Sequence, residues 1–392
     1  MKTIEAKKLK ISSQSNLYVY ALMTIGLLSF LIGLYTNPQR TWGSYLLNHS
    51  FFMGMGFGAM FFLVVHYLAS SGWVVAVRRI PESFASYLIA AFAFTVILFM
   101  GLGKIYPWTN HAMMLVDPAL QHKAGYFSVP FFMARVVVFF VLMIYFMRKM
   151  LSISLVQDVV GGTAGLNQQK KLSAAFLVVF APLFTVFTVD LFKSLDPKWF
   201  STIFGVYVFI GFVQASIAMM IIVIRFLQNS AYMELVTEDH FHDLGKYLFG
   251  FSIFWAYIGV SQYLLIWYAN LPEETSFYLA RQQGSWLGMS IALPILRFAL
   301  PFLLLLPRGA KRCRNYLSMV SVVVLVGAWV DLSWIILPSF LPHGFSFAWQ
   351  DIGLFLGFLG FFLFFIRSYF SRNSLVPVKD PYLHETLHHH VF

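Results

Sequence analysis

The stretch LSAAFLVVFAPLFTVFTVDL (residues 172–191) holds a single ionisable acid, Asp190, at the end of an otherwise apolar run. A second stretch, LSMVSVVVLVGAWVDL (317–332), ends the same way, so Val330-Asp331-Leu332 repeats Val189-Asp190-Leu191. The apolar segment before each carries an arginine shortly after a proline: Pro130 then Arg135, and Pro294 then Arg297. An ionised side chain at the centre of a bilayer costs about 3 kcal/mol on insertion scales. Two such sets in one chain therefore point to a polar path inside a membrane protein.

Composition agrees. The chain is 59% hydrophobic and 11% charged, against about 25% charged residues in a soluble domain. Its net charge of +11 would suggest nucleic acid in a soluble protein. Here the basic residues cluster between apolar runs, which reads as topology and contact with lipids, with no nucleic-acid partner. One cysteine, Cys313, excludes an internal disulfide, a C-x-x-C-H haem attachment and a cysteine-ligated iron–sulfur cluster. Residues 1–17 are polar and basic and lack the small-residue cleavage site of a signal peptide, so the first apolar span is expected to stay.

Runs of about 20 apolar residues cross a bilayer. Ten are predicted, at 18–36, 50–70, 84–103, 128–147, 172–192, 201–224, 246–268, 285–306, 316–336 and 350–370. The predicted fold is an all-α polytopic membrane protein with both termini on one side. Eighteen lysines and arginines fall on the side of the termini, among them Lys7, Arg78, Arg148, Lys170, Arg308 and Arg372; six fall opposite. The positive-inside rule makes the termini cytoplasmic.

Spans two to five and six to nine read as two copies of one four-helix bundle, with spans one and ten flanking. The divisions are an N-terminal arm (1–17), a flanking helix and outer loop (18–49), the first bundle (50–192), the second (193–336), an outer loop and flanking helix (337–370) and a cytoplasmic tail (371–392). Gly54 and Gly58 form a G-x-x-x-G on span two, which reads as a helix-packing surface.

Each polar residue within a span has two readings. Asp190 with Arg135 either relays protons or holds a quinol hydroxyl, or is an ion pair that orients two helices. Asp331 with Arg297 reads the same way, and because Arg297 is deeper, Pro294 and Pro301 are expected to bend the helix toward it. His66 is read as the one histidine clearly within a span, either a cytoplasmic-side proton relay or a residue bonded to a neighbouring carbonyl. His49 is placed at the outer interface, too far along the same helix to share a haem iron with His66. Gln262 and Tyr263 lie in the outer half of span seven, and Asp351 starts span ten. His111, Asp117 and His122 lie together on an outer loop and read as a contact surface. The acidic segment 234–243 is expected to be a solvated helix start. The histidine-rich tail 384–392 is expected to be disordered or bound to a partner. No metal site is expected.

The segment FSIFWAYIGVSQYLLIWYANLPEET (251–275) is the most specific string in the chain. It resembles the ActF membrane subunits of alternative complex III, the bacterial quinol:cytochrome c oxidoreductase, which are related to ActC and to the NrfD/PsrC family of quinone-interacting anchors. The resemblance extends over almost the whole chain. It implies ten spans in two four-helix bundles with flanking helices, and a place in the bacterial inner membrane. It implies ActC, the multi-haem ActA, the iron–sulfur ActB, the haem-bearing ActE and smaller membrane subunits as partners. Haem c and iron–sulfur clusters then sit on those partners, and this chain is a non-redox-active subunit of the respiratory chain. In that family quinol sits at the outer end of the first bundle, near a carboxylate and a histidine. Asp190 matches the carboxylate's placement, with Arg135 beside it.

The expected function is support of quinol oxidation and electron transfer to cytochrome c or an oxidase, with a contribution to proton translocation. The outer half of the proton path would use Asp190, Arg135, Asp331 and Gln262, with Arg297 beside Asp331, and the inner half His66. The alternatives are a quinone-binding membrane anchor of a molybdenum-enzyme-like reductase and an ion-coupled transporter. A transporter would need a midplane cavity between broken helices.

Overall fold

The computed structural model describes residues 6–110, 112, 114 and 118–391. Among them ten helices are long and apolar enough to cross a membrane: Ser13–Thr36, Pro38–Leu68, Arg79–Ile105, Val129–Val160, Ala164–Leu195, Phe204–Asn229, Glu238–Ala269, Ser285–Leu305, Arg314–Ser339 and Trp349–Arg372. They are numbered one to ten below. The chain is thus a multi-pass helical protein, as its apolar runs imply.

Several helices run well past the predicted bounds. Span two starts at Pro38, one residue after span one ends, where an outer loop to residue 49 was expected. Proline is at home in a helix's first turn, and the Asn37 side chain accepts the Arg40 N–H at 3.1 Å. Arg40, Ser44, Asn48 and His49 lower the hydropathy of this stretch, yet all four are buried. Their partners come from elsewhere in the fold, which hydropathy cannot register. Spans four and five continue to Val160 and from Ala164, so most of the expected 148–171 loop is helix. The turn between them uses Gly161 and Gly162, both at positive φ (72° and 77°), where glycine has no steric penalty. Spans four and seven each have 32 residues, or about 48 Å at 1.5 Å per residue, so they project beyond a hydrocarbon core of about 30 Å.

Span two packs against spans three and five, span three against four, and span four against five. The same circuit recurs later in the chain: six against seven and nine, seven against eight, and eight against nine. Spans two and six form the central contact, flanked by five against six and nine against two. Spans one and ten pair with each other and lie on span two, with ten also against three. The central crossing depends on the G-x-x-x-G. A Cβ on Gly58 would fall 2.6 Å from the Phe212 carbonyl oxygen, and one on Gly54 would fall 2.3 Å from the Phe212 ring.

The described residues near the two ends of the chain meet. The Leu9 N–H bonds to the Phe370 carbonyl at 3.0 Å, and the Leu375 N–H to the Lys7 carbonyl at 3.0 Å. The tail beyond is not loose. Asp380 pairs with Arg78, the Thr386 hydroxyl donates to the Trp73 carbonyl at 2.7 Å, and His389 meets Asp243 at 2.6 Å. The expected disordered or partner-bound tail is replaced by one that folds onto its own chain. Two of the polar residues that made it look disordered, Thr386 and His389, are the ones that attach it.

Candidate functional site: two arginine–aspartate sets

Span four opens with Pro130 in its first turn and presents Arg135 one turn later. Its guanidinium closes on Asp190 of span five from two nitrogens, Nε to Oδ2 at 2.9 Å and Nη2 to Oδ1 at 2.7 Å. Such a bidentate fork is the strong form of this pair. The Tyr126 hydroxyl donates to Asp190 Oδ1 at 2.9 Å, while Arg135 Nη1 donates to the Tyr126 carbonyl at 3.1 Å. The guanidinium carbon also lies 3.9 Å from the Tyr126 ring centroid and 4.3 Å from that of Phe131. Burial and the Asp190 carboxylate push the Tyr126 phenol above its usual range, so it stays a donor at neutral pH. A quinol hydroxyl reaching Asp190 would have to replace that phenol.

The second set is built differently. Span eight breaks its α-helical pattern just after Pro294, and Ile295–Ala299 form a π-helical turn. Such turns often mark functional positions. This one carries Arg297, fully buried, to within 3.5 Å of Asp331 on span nine, Nη2 to Oδ2. Asp331 is held instead by the Tyr207 hydroxyl at 2.6 Å and Trp255 Nε1 at 3.0 Å. Below the pair, Gln214 Nε2 donates to the Arg297 carbonyl at 3.1 Å and to Ser252 Oγ at 2.7 Å. What stands where a bend at Pro294 and Pro301 was expected is this π-helical turn directly after Pro294.

The other sequence-derived candidates stand apart from these sets. Gln262 is buried, with Oε1 accepting from Ser201 Oγ at 3.1 Å and Nε2 donating to the Tyr278 hydroxyl at 3.1 Å. No direct hydrogen bond among the described residues joins it to Asp331, or joins Asp190 to Asp331. His66 Nδ1 lies 2.7 Å from the Phe62 carbonyl, one turn back on its own helix. Its ring is packed against Trp73 and Tyr247, each 5.3 Å away between centroids. His49 corrects the sequence reading. It is not interfacial but fully buried inside span two, with Nε2 2.9 Å from Thr95 Oγ1 of span three. His66 is therefore not the only histidine within a span. His111 and Asp117 lie outside the described residues. The acidic segment does start a helix, with Thr237 and His240 capping it, but Asp239, His240, His242 and Asp243 are buried rather than solvated.

Besides Arg78–Asp380, two further buried ionic sets were not anticipated. Asp351 takes Arg40 and, at 2.5 Å, the Ser44 hydroxyl, while Asn48 bridges the Asp351 carbonyl (3.2 Å) and Trp329 Nε1 (2.9 Å). At the opposite end Arg79 pairs with Glu82 and Asp158, and Glu82 also accepts from Ser154 and Tyr369 at 2.5 and 2.6 Å. Arg79 and Glu82 are three apart at a helix start, a spacing visible in the sequence. Their partners on spans four and ten are not.

Among the described residues no three His, Cys, Asp or Glu side chains are grouped to hold a metal ion. No family model matches the chain, and no curated protein matches it.

Proposed function

We propose that this chain is an NrfD-like integral membrane subunit of alternative complex III in a bacterial inner membrane, with both termini cytoplasmic. In this reading it supports quinol oxidation on a partner and electron transfer through partner iron–sulfur clusters and c-type haems to cytochrome c or an oxidase. The two circuits of contacts, spans two to five and six to nine, are read as two four-helix bundles around the span two–span six crossing. The observation that carries the reading is that the third and fourth helices of each circuit bring an arginine to an aspartate, Arg135 to Asp190 and Arg297 to Asp331. Two internal ion pairs at matching places suit a subunit that contributes to proton movement. The likeness of residues 251–275 to ActF supplies the partner set.

Deleting this chain from its native host is expected to abolish quinol:cytochrome c electron transfer in isolated membranes, and restoring it to recover the activity. Unchanged electron transfer without the chain would refute the proposal.

A further inference from the structure

The two arginine–aspartate sets match in position but not in hydrogen bonding. Arg135 is bound directly. Arg297 Nε, Nη1 and Nη2 form no hydrogen bond to any described residue, although the side chain is fully buried. A buried guanidinium with three unmatched donors is costly. Beside it lies a void of about 10 Å³, lined by Gly211, Ala215, Arg297, Ala328 and Asp331 among others. That is the space of about one water molecule, and Arg297 with Asp331 supplies donors and acceptors on facing walls. Gly211 keeps the space open, because a Cβ there would fall 3.0 Å from Arg297 Nη2 and 3.7 Å from Asp331 Oδ2.

What lies beneath each pair differs too. Under Asp190, span five turns Phe187, Phe184, Phe180 and Phe176 inward. Phe187 stacks on Phe139 at 4.2 Å and Phe176 on Phe180 at 4.9 Å, and Phe57 of span two meets Phe139 at 5.3 Å. These rings are all buried. Under Asp331, the chain places Gln214 and Ser252, both fully buried, and Gln214 Oε1 has no protein partner. Phenylalanine rings offer a proton nothing to bind; an amide and a hydroxyl beside an unmatched acceptor do.

We propose that one ordered water molecule bridges Arg297 and Asp331. This hydrated pair, with Gln214 and Ser252 below it, is the proton-exchanging half of the molecule, and the Arg135–Asp190 pair is a fixed clasp above an aromatic plug. The exchange role rests on the reading that protons move through this subunit; the water site does not.

Cryo-electron microscopy of the purified complex, at a resolution that shows waters, tests the site. Density within hydrogen-bonding distance of both Arg297 and Asp331 is expected in the wild type, and its loss in Gly211→Ala. No density in the wild type overturns the site. Protons moved per electron, measured in vesicles containing assembled complex, test the role. The ratio's contribution from this subunit is expected to be lost in Gly211→Ala and in Gln214→Leu, and kept in Gly250→Leu, where nothing lies within 4 Å of the Cβ position. A contribution kept in Gly211→Ala and in Gln214→Leu overturns the role while leaving proton movement itself standing. A wild type that moves no protons sinks the role together with the reading beneath it, and the density still decides the site.

Discussion

Arg135 holds Asp190 through two parallel hydrogen bonds, and the Tyr126 hydroxyl completes the carboxylate's partners. Asp190 is buried and Arg135 only slightly exposed. Removing one member of a buried pair leaves the other charge unmatched and costs about 3–5 kcal/mol, whereas replacing both with apolar residues of similar volume is often neutral. Arg135→Ala and Asp190→Ala are each expected to lower the thermal unfolding temperature in detergent, and the Arg135→Met/Asp190→Leu double variant to recover much of the loss. Additive losses in the double variant would contradict a direct pair.

The span two–span six crossing should be intolerant of side chains. Gly58→Leu places a branched side chain where even a Cβ meets the Phe212 backbone, so it is expected to abolish a monodisperse peak in size-exclusion chromatography. Gly250→Leu on span seven is the control: nothing lies within 4 Å of its Cβ position, and the variant should elute as wild type.

Arg281 ends span nine by donating Nε to the Trp334 carbonyl at 2.8 Å and Nη2 to the Ile335 carbonyl at 2.9 Å, while Nη1 reaches the Phe277 carbonyl at 2.8 Å. Cations favour a helix C-terminus, but only a planar fork serves three carbonyls at once. Arg281→Lys keeps the charge and loses the fork. With hydrogen bonds from charged groups contributing about 1.5–3 kcal/mol each, the lysine variant is expected to unfold at a clearly lower temperature. An unchanged transition would assign the stabilisation to charge alone.

Thr386 is one of the points at which the tail is attached. Thr386 Oγ1 reaches His240 Nε2 at 2.9 Å as well as the Trp73 carbonyl. Thr386→Val keeps the shape and removes these hydrogen bonds, together with the one Oγ1 accepts from the Ala76 N–H at 3.4 Å, at about 1 kcal/mol each. Limited proteolysis from the side of the termini should then cleave the tail faster than in the wild type, with the spans left intact. Equal cleavage rates would mean that the His389–Asp243 and Asp380–Arg78 contacts suffice.

The number of spans was legible because apolar length is a property of single segments. The pairing of Arg135 with Asp190 and of Arg297 with Asp331 was legible because the tripeptide recurs and each preceding span carries an arginine shortly after a proline. What escaped was whatever depends on two distant segments at once. Arg40 and His49 looked like loop residues because their partners, Asp351 and Thr95, lie elsewhere in the chain. Glu82 gave no sign of a role in the sequence because Tyr369 and Ser154 enclose it only in the fold. The difference between the two ion pairs was also hidden, since a π-helical turn at 295–299 leaves no mark beyond Pro294.

The central claim is that this chain works as a colourless subunit beside redox partners. Affinity purification of the tagged chain from its native membranes, followed by a reduced-minus-oxidised spectrum, tests it most directly. The account predicts the absorption of c-type haem, with an iron–sulfur subunit in the same fraction. A pure, haem-free chain from mildly solubilised membranes would contradict it.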